Sequence, residues 1–312
     1  MKVLSLFDGM SCGRLALERA GIKVDKYYTS EIDKYASAVA RYNWPNSIEL
    51  GDINEWENWD IDKPDIIIGG SPCQGFSTAG KGLNFDDPRS KLFFSFVDII
   101  NFYKPKYFLL ENVKMKKEWK DFISGLMGEV PIEINSSLVS AQNRRRLYWS
   151  NIPNITIPED KGIELRDILD EEYDFIYQLP HGYIRECIKY INKYPSLCAQ
   201  SPASKYKLGI DRTKSYCIDS NYDKGSNLKS YSNGRRQLII DYLKKSKMEG
   251  SISYRILKPK ECERLQTLSD NYTQYGLYKD QIKKVSNSQR YKMIGNGWTV
   301  DVITHILRGL NG

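Results

Sequence analysis

A cysteine and a carboxylate each follow a short apolar segment of this chain, and both are residue types that catalyse reactions. Cys73 lies in the stretch 71–77, Ser-Pro-Cys-Gln-Gly-Phe-Ser, shortly after the apolar run Asp65–Gly69. A thiolate at the end of a strand, beside a loop that contains glycine, is placed as a nucleophile. A buried structural thiol is the commoner state of a free cysteine, so both interpretations stay open at this position.

A second group of polar residues follows further along the chain. Glu111 comes directly after the apolar run Tyr107–Leu110, and a carboxyl group beside a thiol can act as an acid or hydrogen-bond a ring nitrogen. Gln142, Arg144 and Arg146 alternate along a later segment, so they would share one face of a strand. Two arginines and an amide on one face suit an anionic or heterocyclic ligand. An ordinary turn at the glutamate and a solvated run of charges at the arginines are the alternatives.

Three features near the start of the chain predict a cofactor that contains adenosine. The segment 7–13, Phe-Asp-Gly-Met-Ser-Cys-Gly, lies between an apolar run and a predicted helix, and glycines there let the backbone approach a ligand. Glu31 follows the second predicted strand, at a position where a ribose hydroxyl pair is usually held. Asp52 follows the third run and can accept a hydrogen bond from an adenine amino group. Either acid, taken alone, is also explained as a helix cap or a surface residue.

These residues need a common frame, and the first 150 residues supply one by alternating strands with helices. The predicted strands are Val3–Phe7, Lys26–Ser30, Ile48–Leu50, Asp65–Gly69 and Tyr107–Leu110. The predicted helices are Arg14–Ala20, Lys34–Tyr42 and Leu92–Tyr103. Apolar strands that alternate with helices predict an α/β fold with a doubly wound, mostly parallel sheet covered on both faces. Ligands of such sheets bind beyond the carboxyl ends of the strands, where the loop 7–13, Glu31, Asp52, Cys73 and Glu111 fall.

The second half of the chain differs in composition and charge. We expect a first domain over 1–164, a smaller and less regular domain over 165–285, and a C-terminal segment over 286–312 that returns to the first domain. Residues 181–260 carry 17 Lys and Arg against 6 Asp and Glu, a net charge of +11, whereas the whole chain carries +7. A concentrated positive field indicates a polyanionic partner, nucleic acid being the first candidate. A solvated lysine-rich surface is the alternative.

Composition excludes several other classes of protein. With 27% charged and 41% hydrophobic residues, the chain is neither disordered nor fibrous. It has no apolar run of about eighteen residues, and its first residues do not form a signal peptide, so we expect a cytoplasmic protein. Six cysteines without a Cys-x-x-Cys pair and two histidines, His181 and His305, argue against a disulfide framework and against a metal site.

The order of the motifs resembles that of the DNA cytosine-5 methyltransferase family over nearly the whole chain. Pro-Cys-Gln at 72–74 resembles the family's nucleophile motif, and Glu-Asn-Val at 111–113 resembles its base-binding motif. The segment 142–146 matches the family pattern Q-x-R-x-R. The segment 255–266, Arg-x-Leu-x-Pro-x-Glu-x-x-Arg-Leu-Gln, resembles the penultimate motif, and Gly-Asn-Gly-Trp-Thr-Val at 295–300 resembles the terminal one. Five motifs in the family's order are a specific match.

This resemblance implies a Rossmann-like class I methyltransferase with a target-recognition domain over 165–285. The implied reaction transfers a methyl group from S-adenosyl-L-methionine to C5 of a cytosine flipped out of DNA, with S-adenosyl-L-homocysteine as product. In it, Cys73 would add to C6, and Glu111 would hold N3 and the exocyclic amine. Arg144 and Arg146 would stabilise developing negative charge. The loop from Gln74 to about Arg89 would close over the base as a lid.

The resemblance also implies two sets of contact residues. The implied cofactor contacts are Phe7, Gly9, Glu31, Ile32, Asp52, Ile53, Pro72, Leu92, Asn296 and Trp298. The implied substrate contacts are Gln74, Ser77, Asn112 and Gln142. The expected partner is double-stranded DNA, with a cognate restriction endonuclease as a further candidate, in a monomeric protein of bacterial or phage origin associated with the nucleoid.

Two departures from the family pattern concern the cofactor contacts. Ser11-Cys12 stands where the family usually has adjacent glycines, and Gly297 stands where it usually has serine. An RNA cytosine-5 methyltransferase that modifies tRNA and an inert DNA-binding accessory protein remain alternatives. The long segment between Arg146 and Arg255 favours DNA, and the presence of Cys73 counts against an inert protein. A nicotinamide-dependent dehydrogenase would explain the strand–helix alternation but not the Pro-Cys-Gln motif or the basic region.

Overall fold

The computed structural model describes residues 1–71, 88–170, 213–225, 236–241 and 253–311, together with the short pieces 177–178, 208–209 and 230. Four predicted site residues lie outside this part of the chain: Pro72, Cys73, Gln74 and Ser77. The predicted lid, apart from its last residues, and most of the predicted second domain also lie outside it.

A seven-stranded sheet forms the frame of the molecule. Its strands are β1 (Lys2–Leu6), β2 (Lys26–Ser30), β3 (Ile48–Gly51), β4 (Ile66–Gly69), β5 (Tyr107–Val113), β6 (Ile132–Asn135) and β7 (Arg145–Ser150). The strand order is β3-β2-β1-β4-β5-β7-β6, and all neighbours are parallel except that β7 runs antiparallel to β5 and β6. The order changes direction between β1 and β4, which opens a crevice at their carboxyl ends. The predicted doubly wound, mostly parallel sheet is thereby confirmed.

Helices cover both faces of this sheet. They are α1 (Cys12–Arg19), α2 (Lys34–Asn43), α3 (Pro88–Tyr103) and α4 (Lys117–Met127). Successive residues of β4 show why its sequence is apolar without interruption: Ile66 and Ile68 belong to one core cluster, and Ile67 belongs to the other. Side chains alternate across a strand, so a strand with a helix layer on each side buries every residue.

The rest of the described chain adds two small antiparallel sheets and four helices. One sheet has the order β8-β11-β10-β9, and the other is a hairpin of β12 and β13. Their strands are β8 (Tyr177–Gln178), β9 (Leu208–Gly209), β10 (Ile239–Asp241), β11 (Ser253–Arg255), β12 (Tyr275–Tyr278) and β13 (Gln281–Lys284). The helices are α5 (Tyr222–Gly225), α6 (Pro259–Leu265), α7 (Asn287–Asn296) and α8 (Val300–Leu307). Short 3-10 helices span Ile53–Asn58, Ser136–Leu138, Leu165–Ile168 and Arg308–Asn311.

The C-terminal helix α8 packs against the first helix, α1. Nη1 of Arg19 donates a hydrogen bond to Oδ1 of Asp301 at 2.8 Å, and Oγ1 of Thr304 donates to the carbonyl of Ala16 at 3.4 Å. The terminal motif directly precedes α8. Among the described helices, none is both long and apolar enough to span a bilayer.

Two glycines in helices provide a test of the packing around the terminal motif. In α7, a Cβ atom on Gly295 would lie 2.2 Å from the carbonyl carbon of Asp219, whereas a Cβ atom on Gly125 in α4 would meet nothing within 4 Å. We expect Gly295→Ala to lower the free energy of unfolding by about 1–3 kcal/mol or more, because the backbone of 219–220 must move. Urea unfolding measures the change.

The matched control is Gly125→Ala. Alanine is the better helix former by about 1 kcal/mol, and no neighbour opposes the methyl group here. We therefore expect this variant to be as stable as the parent or slightly more stable. Equal effects of the two substitutions would contradict the close approach of α7 to residues 219–220.

Candidate functional site

The carboxyl ends of β1, β4 and β5 meet at one edge of the sheet. Leu6 lies opposite Gly69 in the β1–β4 pairing, and Gly69 lies opposite Leu110 in the β4–β5 pairing. The residues that follow, Phe7, Gly70 and Glu111, therefore lie at the same edge of the sheet although more than a hundred residues separate the first from the last. The parallel order of these strands is what brings the predicted site residues together.

Glu111 is a buried carboxylate whose two oxygens each have a partner. Oε1 forms an ion pair with Nε of Arg146 at 2.8 Å, and Oε2 accepts a hydrogen bond from Nε1 of Trp298 at 3.2 Å. Glu111 lies within β5, opposite Tyr148 of β7, rather than in a turn after the strand. Since each carboxylate oxygen has two lone pairs, the group can still accept hydrogen bonds from a ring nitrogen and an amine in a fixed plane.

Gln142 does not lie on a common strand face with Arg146, which corrects the prediction for this segment. β7 begins only at Arg145, so the residues before it do not alternate as a strand does. The side-chain amide of Gln142 is fully buried, and its Nε2 donates to the carbonyl of Leu265 at 2.6 Å and to Oε1 of Gln266 at 2.9 Å. The structure thus places Gln142 in the interior, within hydrogen-bond reach of the end of α6.

Arg144 also points into the interior and connects three distant segments. Its Nη1 donates to the carbonyl of Ile218 at 3.0 Å, and its Nη2 donates to the carbonyls of Gly295 at 3.2 Å and Gly297 at 2.9 Å. The residue is 4% exposed, so these neutral acceptors replace the water that a guanidinium otherwise requires. Arg144 therefore holds the terminal motif in place, and of the two predicted arginines Arg146 is the one that contacts Glu111.

Asn112 ties the end of β5 to the chain that leads into the predicted nucleophile. The residue is 1% exposed, and its Nδ2 donates to Oγ of Ser71 at 3.1 Å. Its Oδ1 accepts from the backbone N–H of Val113 at 2.8 Å, which fixes the rotation of the amide. Ser71 is the last described residue before Pro72 and Cys73, so this contact determines where that segment leaves the sheet.

The loop after β1 has the geometry of a ligand-binding turn. Phe7, Gly9 and Ser11 all have positive φ angles, of 56°, 61° and 63°. The backbone N–H of Gly9 donates to Oε2 of Glu31 at 2.8 Å, while Oε1 of Glu31 accepts from the N–H groups of Ile32 and Asp33. Glu31 therefore joins the ends of β1 and β2, and its Oε2 keeps a lone pair for a further donor.

The remaining predicted cofactor residues differ in how accessible they are. Ile32 is 74% exposed, and Asn296 is exposed at the last position of α7. Asp52 is exposed and caps the 3-10 helix Ile53–Asn58 by accepting from the N–H of Asn54 at 2.9 Å, one of the alternatives that its position suggests. Ile53 is buried, and it packs in the same apolar cluster as the partly buried Phe7 and Leu92.

Sequence reasoning missed a buried network beneath the loop after β1. Oδ1 of Asp8 accepts from the hydroxyl of Tyr27 at 2.7 Å, and Oδ2 accepts from the hydroxyl of Ser11. Burial raises the pKa of Asp8 to about 6, although the hydrogen bonds from Ser11, Ser5 and Tyr27 act in the opposite direction. The position of Asp8 just after a predicted strand could have indicated a functional residue. The sequence pattern does not predict its contact with Tyr27 on the next strand.

The described residues were also compared with two other kinds of site, a reactive cysteine and a metal centre. The thiol of Cys12 is buried, and burial raises its pKa to about 12, so this cysteine is a structural residue. Within the described ranges, no cluster of three or more His, Cys, Asp or Glu side chains is arranged to hold a metal ion.

Comparison with known proteins identifies relatives over almost the whole chain. Residues 1–122 and 136–311 match the family model described as C-5 cytosine-specific DNA methylase. The chain is 32% identical to the Type II methyltransferase M1.ScrFI of Lactococcus lactis subsp. cremoris, over 97% of this chain and 76% of that protein. It is 30% identical to the Type II methyltransferase M.NlaX of Neisseria lactamica, over 98% of this chain and 94% of that protein.

A solved structure shows the same fold. The crystal structure of a DNMT2 variant from Spodoptera frugiperda superposes with a TM-score of 0.67 and covers 100% of this chain and 99% of that chain at 21% identity. Together with the strand order, this likeness confirms a Rossmann-like methyltransferase fold.

Neighbouring arginines allow a test of the structural role of Arg144. Hydrogen bonds from a charged donor contribute about 1.5–3 kcal/mol each, and Arg144 makes three to backbone carbonyls. We expect Arg144→Met to lower the free energy of unfolding by at least about 3 kcal/mol, measured by urea unfolding. The control is Arg145→Met, because the Arg145 side chain is 62% exposed and pairs with Glu133 at the surface. Its effect should stay within about 0.5 kcal/mol; similar losses in both variants would contradict the role of Arg144.

The raised pKa of Asp8 predicts a dependence of stability on pH. Between about pH 4 and pH 6 the folded protein keeps a proton that the unfolded chain loses, so the free energy of unfolding falls as the pH rises through this window. A shift of this size corresponds to about 3 kcal/mol. Asp8→Asn removes the titrating group.

The measured quantity is therefore the difference in unfolding free energy between Asp8→Asn and the parent at several pH values. Between pH 4 and pH 6 we expect the variant to become more stable relative to the parent by up to about 3 kcal/mol. Above pH 6 the difference in unfolding free energy should stay constant. Titration of all other groups cancels in the comparison. A difference that is constant over pH would show that Asp8 does not titrate in this window.

Proposed function

The chain belongs to the C-5 cytosine-specific DNA methylase family, and from this membership we propose that it methylates C5 of a cytosine flipped out of duplex DNA, using S-adenosyl-L-methionine and a transient bond from Cys73 to C6. One observation supports this proposal above the others. Glu111 presents a buried carboxylate at the edge of the sheet, oriented by Arg146 and Trp298, beside the chain that continues into Cys73.

Cys73 would supply the nucleophile. Cytosine C5 does not attack a methyl donor unaided, because the ring is electron-poor. Addition of the Cys73 thiolate to C6 would make an enamine whose C5 carries the electron pair that forms the new bond. Removal of the C5 proton by a base then returns the electrons to the ring and expels the Cys73 thiolate from C6. The role of Cys73 rests on its motif, and the tether from Asn112 to Ser71 supports its placement at this edge.

Glu111 would hold the target base. Its carboxyl group faces N3 and the exocyclic amine in this proposal, and protonation at N3 makes C6 more susceptible to thiolate addition. Arg146, 2.8 Å from Oε1 of Glu111, would stabilise negative charge that develops on the ring. The buried hydrogen bonds of Gln142 and Arg144 favour a structural role for these two residues. Both residues position the terminal motif, and the terminal motif in turn positions the site.

The residues around the loop after β1 fit an adenosyl group. When bound, S-adenosyl-L-methionine supplies the methyl group as an electrophilic sulfonium. A Cβ atom on Gly9 would meet nothing within 4 Å, so the loop faces open space at the carboxyl end of β1. The exposed apolar side chain of Ile32 lies next to the polar Glu31, a combination that suits an adenosine with its flat base and its ribose hydroxyls. We assign the remaining contacts to Phe7 and Asp52, and to a second group consisting of Ile53, Pro72, Leu92 and Asn296. The hydrogen bond from Trp298 to Glu111 favours a different role for this tryptophan, which the resemblance places among the cofactor contacts.

DNA would be bound by the basic region, with Gln74 and Ser77 at the flipped base. Several described cations of that region already have protein partners. Lys214 donates to the carbonyls of Ser137 and Ser140, and Arg236 pairs with Asp219. Phosphate contacts are therefore assigned to the basic side chains in the remainder of 165–285, and such contacts make binding sensitive to salt.

The decisive experiment for the proposed reaction uses trapping. A duplex with 5-fluorocytosine at the target position blocks removal of the C5 substituent, so we expect a covalent protein–DNA complex with the parent enzyme and the methyl donor. Cys73→Ala should abolish both trapping and transfer of labelled methyl groups, while it retains cofactor binding measured by calorimetry. Cys262→Ala is the control and should still be trapped, because the thiol of Cys262 is buried within the apolar core at α6. Trapping by Cys73→Ala would refute the assignment of the nucleophile.

The same labelled donor distinguishes the nucleic acid that is modified. Incubation with mixed duplex DNA and, separately, with tRNA should label the DNA, and bisulfite sequencing should map 5-methylcytosine to a defined sequence. Label on tRNA alone would support the RNA alternative. An absence of label on both, with intact binding of DNA, would support the inert accessory protein.

A further inference from the structure

The resemblance places Trp298 among the cofactor contacts, but its indole forms a hydrogen bond with Glu111 that cofactor binding would not require. Its Nε1 donates to Oε2 of Glu111 at 3.2 Å, although the two residues are 187 positions apart in the sequence. The indole N–H is a donor only, and Glu111 is 9% exposed, so few water molecules can replace this bond. The carboxylate proposed to hold the base is therefore oriented on one side by a cation and on the other by an indole.

The backbone on both sides of Trp298 is fixed by the interior of the protein. The carbonyl of Gly297 accepts from Nη2 of Arg144 at 2.9 Å and from Nε2 of Gln266 at 3.0 Å. The hydroxyl of Thr299 donates to Oε1 of Gln266 at 2.8 Å. Because the residues before and after it are both held, the indole has little freedom to leave Glu111.

Gly70 leaves the space in which the contact forms. A Cβ atom on Gly70 would lie 2.9 Å from Oε2 of Glu111 and 2.9 Å from Nε1 of Trp298, which is too close for either atom. The chain thus lacks a side chain at the position that would separate the tryptophan from the glutamate.

We propose that Trp298 is a positioning residue for Glu111, and that its indole N–H keeps the carboxylate in the plane in which it meets the ring nitrogen and the amine of the target base. The catalytic part of this inference rests on the proposed function, whereas the contact itself does not. Arg146 uses one lone pair of Oε1 and Trp298 uses one of Oε2, so the directions of the remaining lone pairs are determined. Without the indole N–H the carboxylate can rotate about its last side-chain bond.

The contact can be tested without any reaction. The chain has six tryptophans, so ¹⁵N-indole labelling gives a small set of N–H signals, and Trp298→Phe assigns one of them. Glu111→Gln removes the negative charge from the acceptor and weakens the hydrogen bond. We expect this substitution to move the Trp298 signal and to leave the signal of Trp149 in place. A Trp298 signal that does not respond to Glu111→Gln overturns the proposal.

The consequence for the reaction is tested by single-turnover methyl transfer. Trp298→Phe keeps an aromatic ring but loses the donor, and we expect the rate constant to fall by about tenfold or more, the usual effect of a lost hydrogen bond to a charged group. The affinity for S-adenosyl-L-homocysteine, measured by calorimetry, should change by less than about threefold. A fall in affinity that accounts for the whole loss of activity would instead make Trp298 a cofactor contact and overturn the positioning role.

A double-mutant cycle connects the two residues. In a Glu111→Gln background, adding Trp298→Phe should reduce the rate by less than about twofold, because the group that it orients is already altered. The matched control is Trp149→Phe, which removes an indole hydrogen bond of 2.9 Å to Ser124 away from the site. This control should leave the single-turnover rate unchanged. Additive losses from Trp298→Phe and Glu111→Gln would overturn the proposal.

A second variant covers the case in which Trp298→Phe does not fold. Gly70→Ala keeps the tryptophan but inserts a methyl group between it and Glu111, so the rate should fall while the cofactor affinity is retained. If the parent enzyme neither methylates nor traps DNA, the proposed function fails, and the indole signal still decides whether Trp298 binds Glu111. If the parent is active and both variants are fully active, the proposed function stands and the positioning role is refuted.

Discussion

The carbonyl oxygen of Gly297 accepts hydrogen bonds from Arg144 and Gln266, and the site depends on this one acceptor. Arg144 precedes β7, Gln266 directly follows α6, and Gly297 directly follows α7, so three segments that are distant in sequence converge at a single atom. A guanidinium that is 4% exposed cannot lose its acceptors without a large desolvation cost. The terminal motif is therefore held at the edge of the sheet by the requirement to satisfy a buried cation, and Trp298 reaches Glu111 as a consequence.

The loop after β1 shows how the fold tolerates an unfavourable local conformation. Phe7 and Ser11 adopt positive φ angles, which cost a non-glycine residue about 1–2 kcal/mol each. Asp8 is buried between Tyr27 and Ser11, and its raised pKa reflects the cost of enclosing a carboxylate. The bond from Gly9 to Glu31 closes the loop from the other side. Strained backbone of this kind is concentrated at ligand-binding and active sites, in agreement with the proposed cofactor site.

The strands of the large sheet could be predicted from the sequence because the residue pattern that identifies each strand lies within the strand itself. The strand Lys26–Ser30 was predicted at its observed bounds, and the continuous apolar run before Gly69 identified a strand buried on both faces. The directions of the site side chains were less predictable. Gln142 donates to the carbonyl of Leu265, and Arg144 donates to that of Gly297, each more than 120 residues away. The residues around position 144 contain no pattern from which such distant partners could be predicted. Alternation predicted one shared face, but it applies only where the strand exists, and β7 begins at Arg145.

Glu111 and Asn112 are consecutive residues at the end of β5, and their side chains have different partners on opposite faces of the sheet. Consecutive residues of a strand point to opposite faces of the sheet. Glu111 therefore meets Arg146 and Trp298 on one face, while Asn112 bonds to Ser71, at the start of the chain segment that carries the predicted nucleophile. Pairing of Glu111 with Tyr148 fixes the register of β5, and a slip of one residue would exchange the two side chains between the faces. The antiparallel strand β7, which interrupts an otherwise parallel sheet, is thus the element that determines which face receives the carboxylate and which receives the tether.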